Sequence, residues 1–154
     1  MFKKKKIFIH KDKRGDFKKF FDNNIYIKQS FLTTSKKNVF RGFHYYKKRN
    51  SSGRYIYVIE GKIVDYLVDL RKKNFGKLYK KIISCNDSFL YFLPSYCAHG
   101  FLTLKKTKII YFFKKKHIKK LDCGFNFKSI LPQLSNKIIV SKKDRNLPYL
   151  LSKN

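Results

Sequence analysis

The 154-residue chain contains no tryptophan, a single alanine (Ala98) and few acidic residues. It also lacks any long apolar run, since no stretch approaches the roughly 20 residues that a membrane-spanning helix needs. The apolar residues near the N-terminus form too short a segment for a secretory leader. These absences predict a protein without a membrane span that stays in the cytoplasm.

Cysteine is also scarce: Cys85, Cys97 and Cys123 are the only three. Their spacing contains no CxxC pair and no Cys/His pattern typical of a metal site. An odd number of cysteines without a leader sequence predicts reduced thiols rather than a disulfide framework.

The shortage of acidic residues leaves an extreme charge, because 38 Lys and Arg outnumber 9 Asp and Glu for a formal charge of +29. Such a charge is typical of nucleic-acid binding. However, the basic residues are mostly lysine, whereas arginine dominates base and phosphate recognition. Lys, Asn, Ile, Phe and Tyr are all abundant and all have AT-rich codons, so codon drift on a solvated surface explains the lysines. Binding of nucleic acid or another polyanion remains the alternative hypothesis.

Aromatic residues make up 18% of the chain and hydrophobic residues 43%, which favours a packed protein rich in strands. The clearest pattern is a hairpin, with apolar runs at 55–59 and 63–70 joined by Glu60-Gly61-Lys62. Further strands are predicted at 7–9, 25–31, 39–46, 78–84, 89–93, 101–104 and 109–113, and one helical turn at 147–151. The lysine runs 3–6 and 114–116 are interpreted as solvated surface. Short strands at this spacing predict a single all-β domain at 1–154, and a jelly-roll barrel fits it best.

One stretch, residues 38–46, combines Arg41, Gly42 and His44 with large apolar neighbours. Strand alternation places Arg41 and Phe43 on one face and His44 on the other. If Phe43 faces a core, His44 faces a cavity or solvent. A second histidine, His99, follows Pro94 within another apolar segment. We predict that the two segments meet, with His44 and His99 at the mouth of the barrel.

Acid–base chemistry is within reach of His44, Tyr111 and Asp144, because a histidine titrates near neutral pH and a carboxylate can fix its tautomer. Arg41 and Arg54 are suited to holding an oxyanion. Each of these residues also has an ordinary structural role: a strand histidine, a core tyrosine, a turn aspartate. The residues alone leave both interpretations open.

An ordered set of segments narrows the choice. The chain resembles the dTDP-4-dehydrorhamnose 3,5-epimerase family from about Asp12 to Pro148. The segments that carry the resemblance are Asp12 to Gly15, Gln29, Asn38 to His44, Gly53-Arg54, Gly61 to Asp65, Val68 to Arg71, Phe75-Gly76, Pro94, Ala98 to Phe101, Tyr111 and Ser141 to Asp144. The resemblance implies a cupin-type jelly roll, usually a homodimer, that epimerises nucleotide-linked 4-keto-6-deoxy sugars without a cofactor.

The resemblance also implies roles for single residues. His44 matches the catalytic base, Asp144 the carboxylate paired with it, and Tyr111 the tyrosine that returns a proton from the opposite face. His99 matches a histidine that lines the pocket. Substrate-contacting positions are matched by Arg14, Gln29 and Arg41. The resemblance implies that Arg14 lies near the nucleotide phosphates, either in its own subunit's site or in that of the partner subunit. The implied pairing predicts a His44–Asp144 hydrogen bond of about 2.7–3.2 Å.

Four positions depart from the family pattern. Arg54 replaces a lysine, Tyr46 a glutamine, Phe31 an asparagine and Lys19 a glutamate. A guanidinium fork is not equivalent to an ammonium group. These departures leave loss of activity open and favour a changed sugar, or epimerisation at only one carbon.

A metal-dependent cupin is the nearest competing enzyme, since the segment from Pro94 to His99 resembles half of its metal-binding motif. The other half requires two histidines one residue apart and a glutamate. The chain has His44-Tyr45-Tyr46 there, and its only glutamate, Glu60, lies in the predicted hairpin turn. The sequence therefore predicts no metal site.

Overall fold

A computed structural model describes residues 2–22, 25–47, 52–134 and 137–151 of the chain. Within them lie twelve strands and one α-helix. The strands are β1 (Lys3–Lys6), β2 (Phe8–Asp12), β3 (Gly15–Lys19), β4 (Gln29–Ser35), β5 (Phe40–Tyr46), β6 (Arg54–Glu60), β7 (Lys62–Asp69), β8 (Leu78–Ser84), β9 (Phe89–Leu93), β10 (Cys97–Thr103), β11 (Thr107–Phe113) and β12 (Asp122–Gly124), and the helix is α1 (Lys142–Arg145).

Ten of these strands form two five-stranded antiparallel sheets. The first sheet has the order β1-β9-β6-β11-β4 and the second the order β12-β5-β10-β7-β8. Strands β2 and β3 form a separate hairpin. The prediction of an all-β protein is confirmed.

The main core lies between the two sheets, where alternate residues of each strand point inward. Ile56, Val58 and Ile109 of the first sheet pack in one buried cluster with Leu67 and Phe101 of the second. The same alternation aims Arg54, Tyr111, His99 and Asp65 into the space between the sheets. Polar side chains thus reach the barrel interior on rigid strands.

The outer face of the second sheet has its own buried cluster. Phe40, Phe43 and Val68 pack there against Phe125 and Leu131 of the C-terminal segment. Phe43 stacks on Phe125, with 5.1 Å between ring centroids. Phe43 therefore faces a core outside the barrel, which is why His44 can face the interior.

Some predicted elements were wrong in detail. The lysine run 3–6 is largely exposed, as predicted, but it also forms edge strand β1, which pairs with β9 and was not predicted. The predicted strand 25–31 becomes regular only at Gln29, and the predicted strand 101–104 begins earlier, at Cys97. The 147–151 segment has no helical turn, whereas residues Lys142–Arg145 do. Strand pairing and burial, which act over long range, overrode the local patterns here.

Candidate active site

A cavity of about 700 Å³ opens between the two sheets. It is lined by residues of β4, β5, β6, β10, β11 and β12, by His117 and by the C-terminal segment. Those that carry polar chemistry include Arg41, His44, Tyr46, Arg54, His99, Tyr111, His117, Asp122 and Asp144. The cavity thus collects most of the candidate residues named from the sequence.

The pairing of β5 with β10 explains how Arg41 joins His44. His99 lies opposite His44 and Phe101 lies opposite Arg41, so the register shifts by one residue between the two pairs. His99 and Phe101 share a face because they are two residues apart, and their partners therefore share it too. Strand alternation had placed Arg41 and His44 on opposite faces of β5, and this prediction was wrong because of the bulge.

Gly42 makes the bulge possible. Its φ of +126° lies in the region that favours glycine, and a Cβ there would come within 2.6 Å of Gly100 Cα. Glycine beside Arg41 is therefore required by the close approach of two backbones. The Arg-Gly-x-His pattern has a geometric basis: it sets an arginine and a histidine side by side.

His44 and Asp144 form the hydrogen bond predicted from the resemblance. His44 Nε2 lies 2.9 Å from Asp144 Oδ1, although the residues are 100 positions apart. The His44 side chain is 38% exposed, whereas that of Asp144 is 6% exposed. Since the carboxylate accepts from Nε2–H, the lone pair lies on Nδ1, for which no partner is found among the described residues.

Asp144 is held in place from two directions. Ser141, the N-cap of α1, accepts a hydrogen bond from the Asp144 N–H through its Oγ at 3.0 Å. The Gly42 N–H donates to Asp144 Oδ2 at 3.3 Å. Burial raises the pKa of Asp144, whereas the hydrogen bonds from His44 and Gly42 lower it. The lowering effects together outweigh burial, so the pKa of Asp144 lies below its ordinary value. Asp144 is therefore ionised and oriented towards His44.

A second histidine–carboxylate pair lies beside the first. His99 Nε2 lies 2.6 Å from Asp65 Oδ1, and both side chains are almost fully buried. His99 Nδ1 faces Arg54 Nη2 at 3.3 Å. Burial lowers the pKa of His99 and outweighs the raising effect of Asp65, so the imidazole is neutral. A neutral ring that donates to Asp65 and accepts from Arg54 has no nitrogen left for a substrate.

Tyr111 projects from β11 into the same cavity, with its ring centroid 6.4 Å from that of His99. Burial raises the pKa of Tyr111, and the positive charge of Arg54 opposes that rise. The phenol is therefore protonated at neutral pH. His44 belongs to the second sheet and Tyr111 to the first, so the two groups approach the cavity from opposite walls.

The three predicted substrate-contacting residues lie in different places. Arg41 lines the cavity, and its guanidinium donates to Ser35 Oγ at 3.0 Å. The Gln29 side chain accepts from the His117 N–H at 2.8 Å through Oε1 and is not among the cavity-lining residues. Arg14 lies at the tip of the β2–β3 hairpin, paired with Asp12 and outside the cavity.

Sequence reasoning missed the polar residues Asp65, His117 and Asp122. Asp65 carried a usable signal, since it lies between Ile63 and Leu67 on one face of a strongly apolar strand, where a carboxylate needs a partner. His117 directly follows the lysines 114–116, which were interpreted as solvated surface, and no motif in the sequence marked it. His117 Nε2 lies 3.0 Å from Asp122 Oδ2, and Nδ1 contacts the Tyr46 hydroxyl.

Cys85, Cys97 and Cys123 lie within the described residues, and none of them forms a disulfide there. Across residues 2–22, 25–47, 52–134 and 137–151, no group of three or more His, Cys, Asp or Glu side chains is arranged to hold a metal ion. No helix in these same ranges is long and apolar enough to span a membrane.

Comparison with known proteins gives a consistent result. The dTDP-4-dehydrorhamnose 3,5-epimerase from Salmonella typhimurium is 35% identical over 74 residues, which are 47% of this chain and 40% of that protein. The one from Methanothermobacter thermautotrophicus is 28% identical over 157 residues, covering 90% of this chain and 83% of that protein. The crystal structure of the Bacillus anthracis enzyme, with TDP and PPi bound, superimposes with a TM-score of 0.82 at 26% identity, covering 97% of this chain and 94% of that one.

The predicted jelly-roll fold is confirmed by that superposition. The family model for dTDP-4-dehydrorhamnose 3,5-epimerase matches residues 4–152, nearly the whole chain. The chain therefore belongs to the dTDP-4-dehydrorhamnose 3,5-epimerase family.

Proposed function

We propose that the protein epimerises a dTDP-linked 4-keto-6-deoxy sugar by removing and returning a proton next to the ketone. The observation that carries the proposal is the His44–Asp144 pair, in which Asp144 holds Nε2–H at 2.9 Å and leaves the Nδ1 lone pair for substrate. Family membership favours this function over the binding of nucleic acid or another polyanion.

The chemistry follows from the acidity of the carbons beside a ketone. His44 Nδ1 takes a proton from one such carbon, and the electron pair of the broken C–H bond moves onto the ketone oxygen. Arg54 is placed to balance the charge of that enolate oxygen, because its guanidinium lines the cavity and contacts His99 Nδ1. The reaction needs neither metal nor cofactor for its electron balance.

The returning proton comes from the opposite wall. The raised pKa of Tyr111 keeps its hydroxyl protonated, so the phenol can donate a proton to the carbanion from the face away from His44. The configuration at that carbon is then inverted. Solvent removes the proton from His44 and restores the one on Tyr111, and the nearby Arg54 charge stabilises the transient phenolate.

The proposal is tested by incubating the protein with dTDP-4-keto-6-deoxyglucose in D₂O and following the sugar by NMR. Deuterium should appear at one or both carbons that flank the ketone. The number of labelled carbons separates a 3,5-epimerase from an enzyme that inverts a single centre. Absence of deuterium at both carbons, with this and other 4-keto-6-deoxy sugar nucleotides, would contradict the proposed function.

The remaining site residues serve the nucleotide in this proposal. Arg41 lines the cavity beside His44 and suits a phosphate oxygen. Arg14 lies at the tip of a hairpin that exposes Phe8 (59%) and Phe17 (61%). Exposed phenylalanines on an arm outside the barrel support a homodimer in which the hairpin lies against a second copy and Arg14 reaches that copy's site.

Mixing two inactive variants tests this arrangement. If Arg14 serves the partner's site, a heterodimer of Arg14→Ala and His44→Ala contains one intact site. Random mixing should then restore about a quarter of the wild-type rate. If Arg14 acts in its own subunit, mixing restores nothing. If Arg14 has no role in activity, Arg14→Ala alone keeps the wild-type rate. Light scattering coupled to size-exclusion chromatography checks the dimer itself.

The location is proposed from the thiols. Cys97 is buried, burial raises its pKa to about 12, and none of the three cysteines forms a disulfide among the described residues. Free thiols fit a reducing compartment such as the cytoplasm.

A further inference from the structure

A third histidine–carboxylate group lies at the cavity wall, and neither the proposed proton transfers nor the predicted site includes it. Tyr46, His117 and Asp122 all line the cavity. We name them the Tyr46 group. Tyr46 and Asp122 lie directly opposite each other on β5 and β12, and the His117 imidazole joins them.

Asp122 favours one arrangement of protons in the Tyr46 group. Its carboxylate oxygen Oδ2 lies 3.0 Å from His117 Nε2, and this contact favours the tautomer of the imidazole that carries its proton on Nε2. His117 Nδ1 is then an acceptor, and it takes the hydroxyl proton of Tyr46. The Ile118 N–H donates to the same Tyr46 oxygen at 3.1 Å.

In this arrangement the Tyr46 oxygen can take part in a further hydrogen bond only as an acceptor. Its proton is committed to His117 and one lone pair to Ile118, so a further partner must donate to its remaining lone pair. The oxygen lies in a cavity wall rather than in the core, with His117 and Asp122 side chains 24% and 29% exposed. The Tyr46 oxygen, with one lone pair still unused at the cavity wall, is therefore suited to accept a hydrogen bond from a hydroxyl group of a ligand.

Neighbouring residues hold both the backbone and the ring of His117 in place. Gln29 Oε1 accepts from the His117 N–H at 2.8 Å, and the ring of Phe31 meets the imidazole edge-on with 5.6 Å between centroids. Phe31 and Tyr46 are two of the positions at which the chain departs from the family pattern. Both departures contact the same imidazole.

We propose that the Tyr46 oxygen, oriented by His117 and Asp122, accepts a hydrogen bond from a hydroxyl of the substrate sugar and selects sugars that carry it. Tyr46 lies two residues beyond His44 on the same face of β5, at a spacing of roughly 6–7 Å, which is within the reach of one pyranose ring. The inference rests on the proposed function, because that function supplies the sugar.

Binding of dTDP-quinovose and its 2-deoxy and 3-deoxy analogues, measured by calorimetry, tests the inference without turnover, since these compounds lack the ketone. The wild type should bind one of the deoxy analogues about three- to tenfold more weakly than the parent. In Tyr46→Phe, that difference should fall within about twofold. Tyr26→Phe, which removes an exposed hydroxyl outside the cavity, should retain the wild-type difference.

A second variant separates orientation from simple contact. His117→Leu leaves the Tyr46 hydroxyl in place but frees it to rotate, so discrimination between parent and deoxy sugar should shrink as it does in Tyr46→Phe. Melting temperatures establish that each variant is folded. Equal binding of all three compounds by the wild type, or unchanged discrimination in Tyr46→Phe, overturns the inference.

Proton exchange on the ketone substrate keeps the two proposals apart. If the wild type exchanges protons but binds the three probes without discrimination, only the role of Tyr46 is contradicted. If the wild type neither exchanges protons nor binds the probes, both proposals fail.

Discussion

His44 and His99 lie opposite each other on neighbouring strands, and each donates Nε2–H to an aspartate. Their surroundings differ. His44 is 38% exposed with Nδ1 directed to a cavity, whereas His99 is 5% exposed with Nδ1 occupied by Arg54. The same chemical pair thus leaves one imidazole with a nitrogen open to the cavity and the other with both nitrogens bonded, because burial and the partner of the second nitrogen decide what an imidazole can do. This difference supports the proposal that His44 is the base.

The largest expected effect is on the exposed pair. His44→Ala should reduce deuterium exchange into the substrate by about 10³-fold, since a general base contributes roughly 10²–10⁴. The measurement is the NMR exchange rate, with the melting temperature as a check on folding. His44→Ala exchange at the wild-type rate would show that another group removes the proton.

Asp144→Asn should also lower this rate, by no more than His44→Ala does, because the amide can hydrogen-bond His44 without fixing the correct tautomer. Asp22→Asn is the matched control, since Asp22 is an exposed carboxylate paired with Lys5 outside the cavity. An Asp144→Asn rate equal to that of this control would remove Asp144 from the catalytic pair.

The buried pair should act mainly on stability. Asp65→Ala leaves the buried His99 Nε2–H without its acceptor, which costs about 1–3 kcal/mol of unfolding free energy. Urea unfolding measures this loss, and Asp144→Ala, at a partly exposed pair, should lose less. If the order of the two losses is reversed, the assignment of His99 as the structural member is wrong.

The pH dependence of the free energy of unfolding should show a smaller effect of the buried pair. The pKa of His99 is lowered in the folded state by burial, so below its ordinary value of 6.5 the unfolded chain binds the proton more readily. Stability should therefore fall as pH drops from about 6.5. His99→Asn should flatten this part of the curve, and His10→Asn, at an exposed histidine in the β2–β3 hairpin, should leave it unchanged.

Much of the fold was accessible from sequence because strand patterns are local. The hairpin formed by β6 and β7 was predicted nearly to the residue, since two β-branched and aromatic runs flank Gly61. Strand β1 was not, because four lysines have no apolar pattern and become a strand only by pairing with β9. The start of β4 was misplaced for the same reason, as pairing with β11 rather than propensity sets its limits.

The site residues also divide into those that could be assigned from the sequence and those that depend on long-range contacts. His44, Tyr111 and Asp144 were found through the order of motifs, and no local pattern predicts that residues 44 and 144 meet. Arg41 was assigned to the wrong face because a bulge at Gly42 cannot be seen in period-2 alternation. Asp65 and His117 were missed because their roles depend on partners that are distant in the sequence. Asp65 bonds His99, which in turn contacts Arg54, and His117 contacts Tyr46.

Chemical rescue tests the central distinction between the two pairs most directly. His44→Ala and His99→Ala should be assayed for deuterium exchange with and without added imidazole. Removing His44 empties a position at the wall of a cavity of about 700 Å³, so imidazole should enter beside Asp144 and restore exchange. Removing His99 empties a buried position, and imidazole should restore nothing. Rescue of His99→Ala, with none for His44→Ala, would contradict the assignment of His44 as the base.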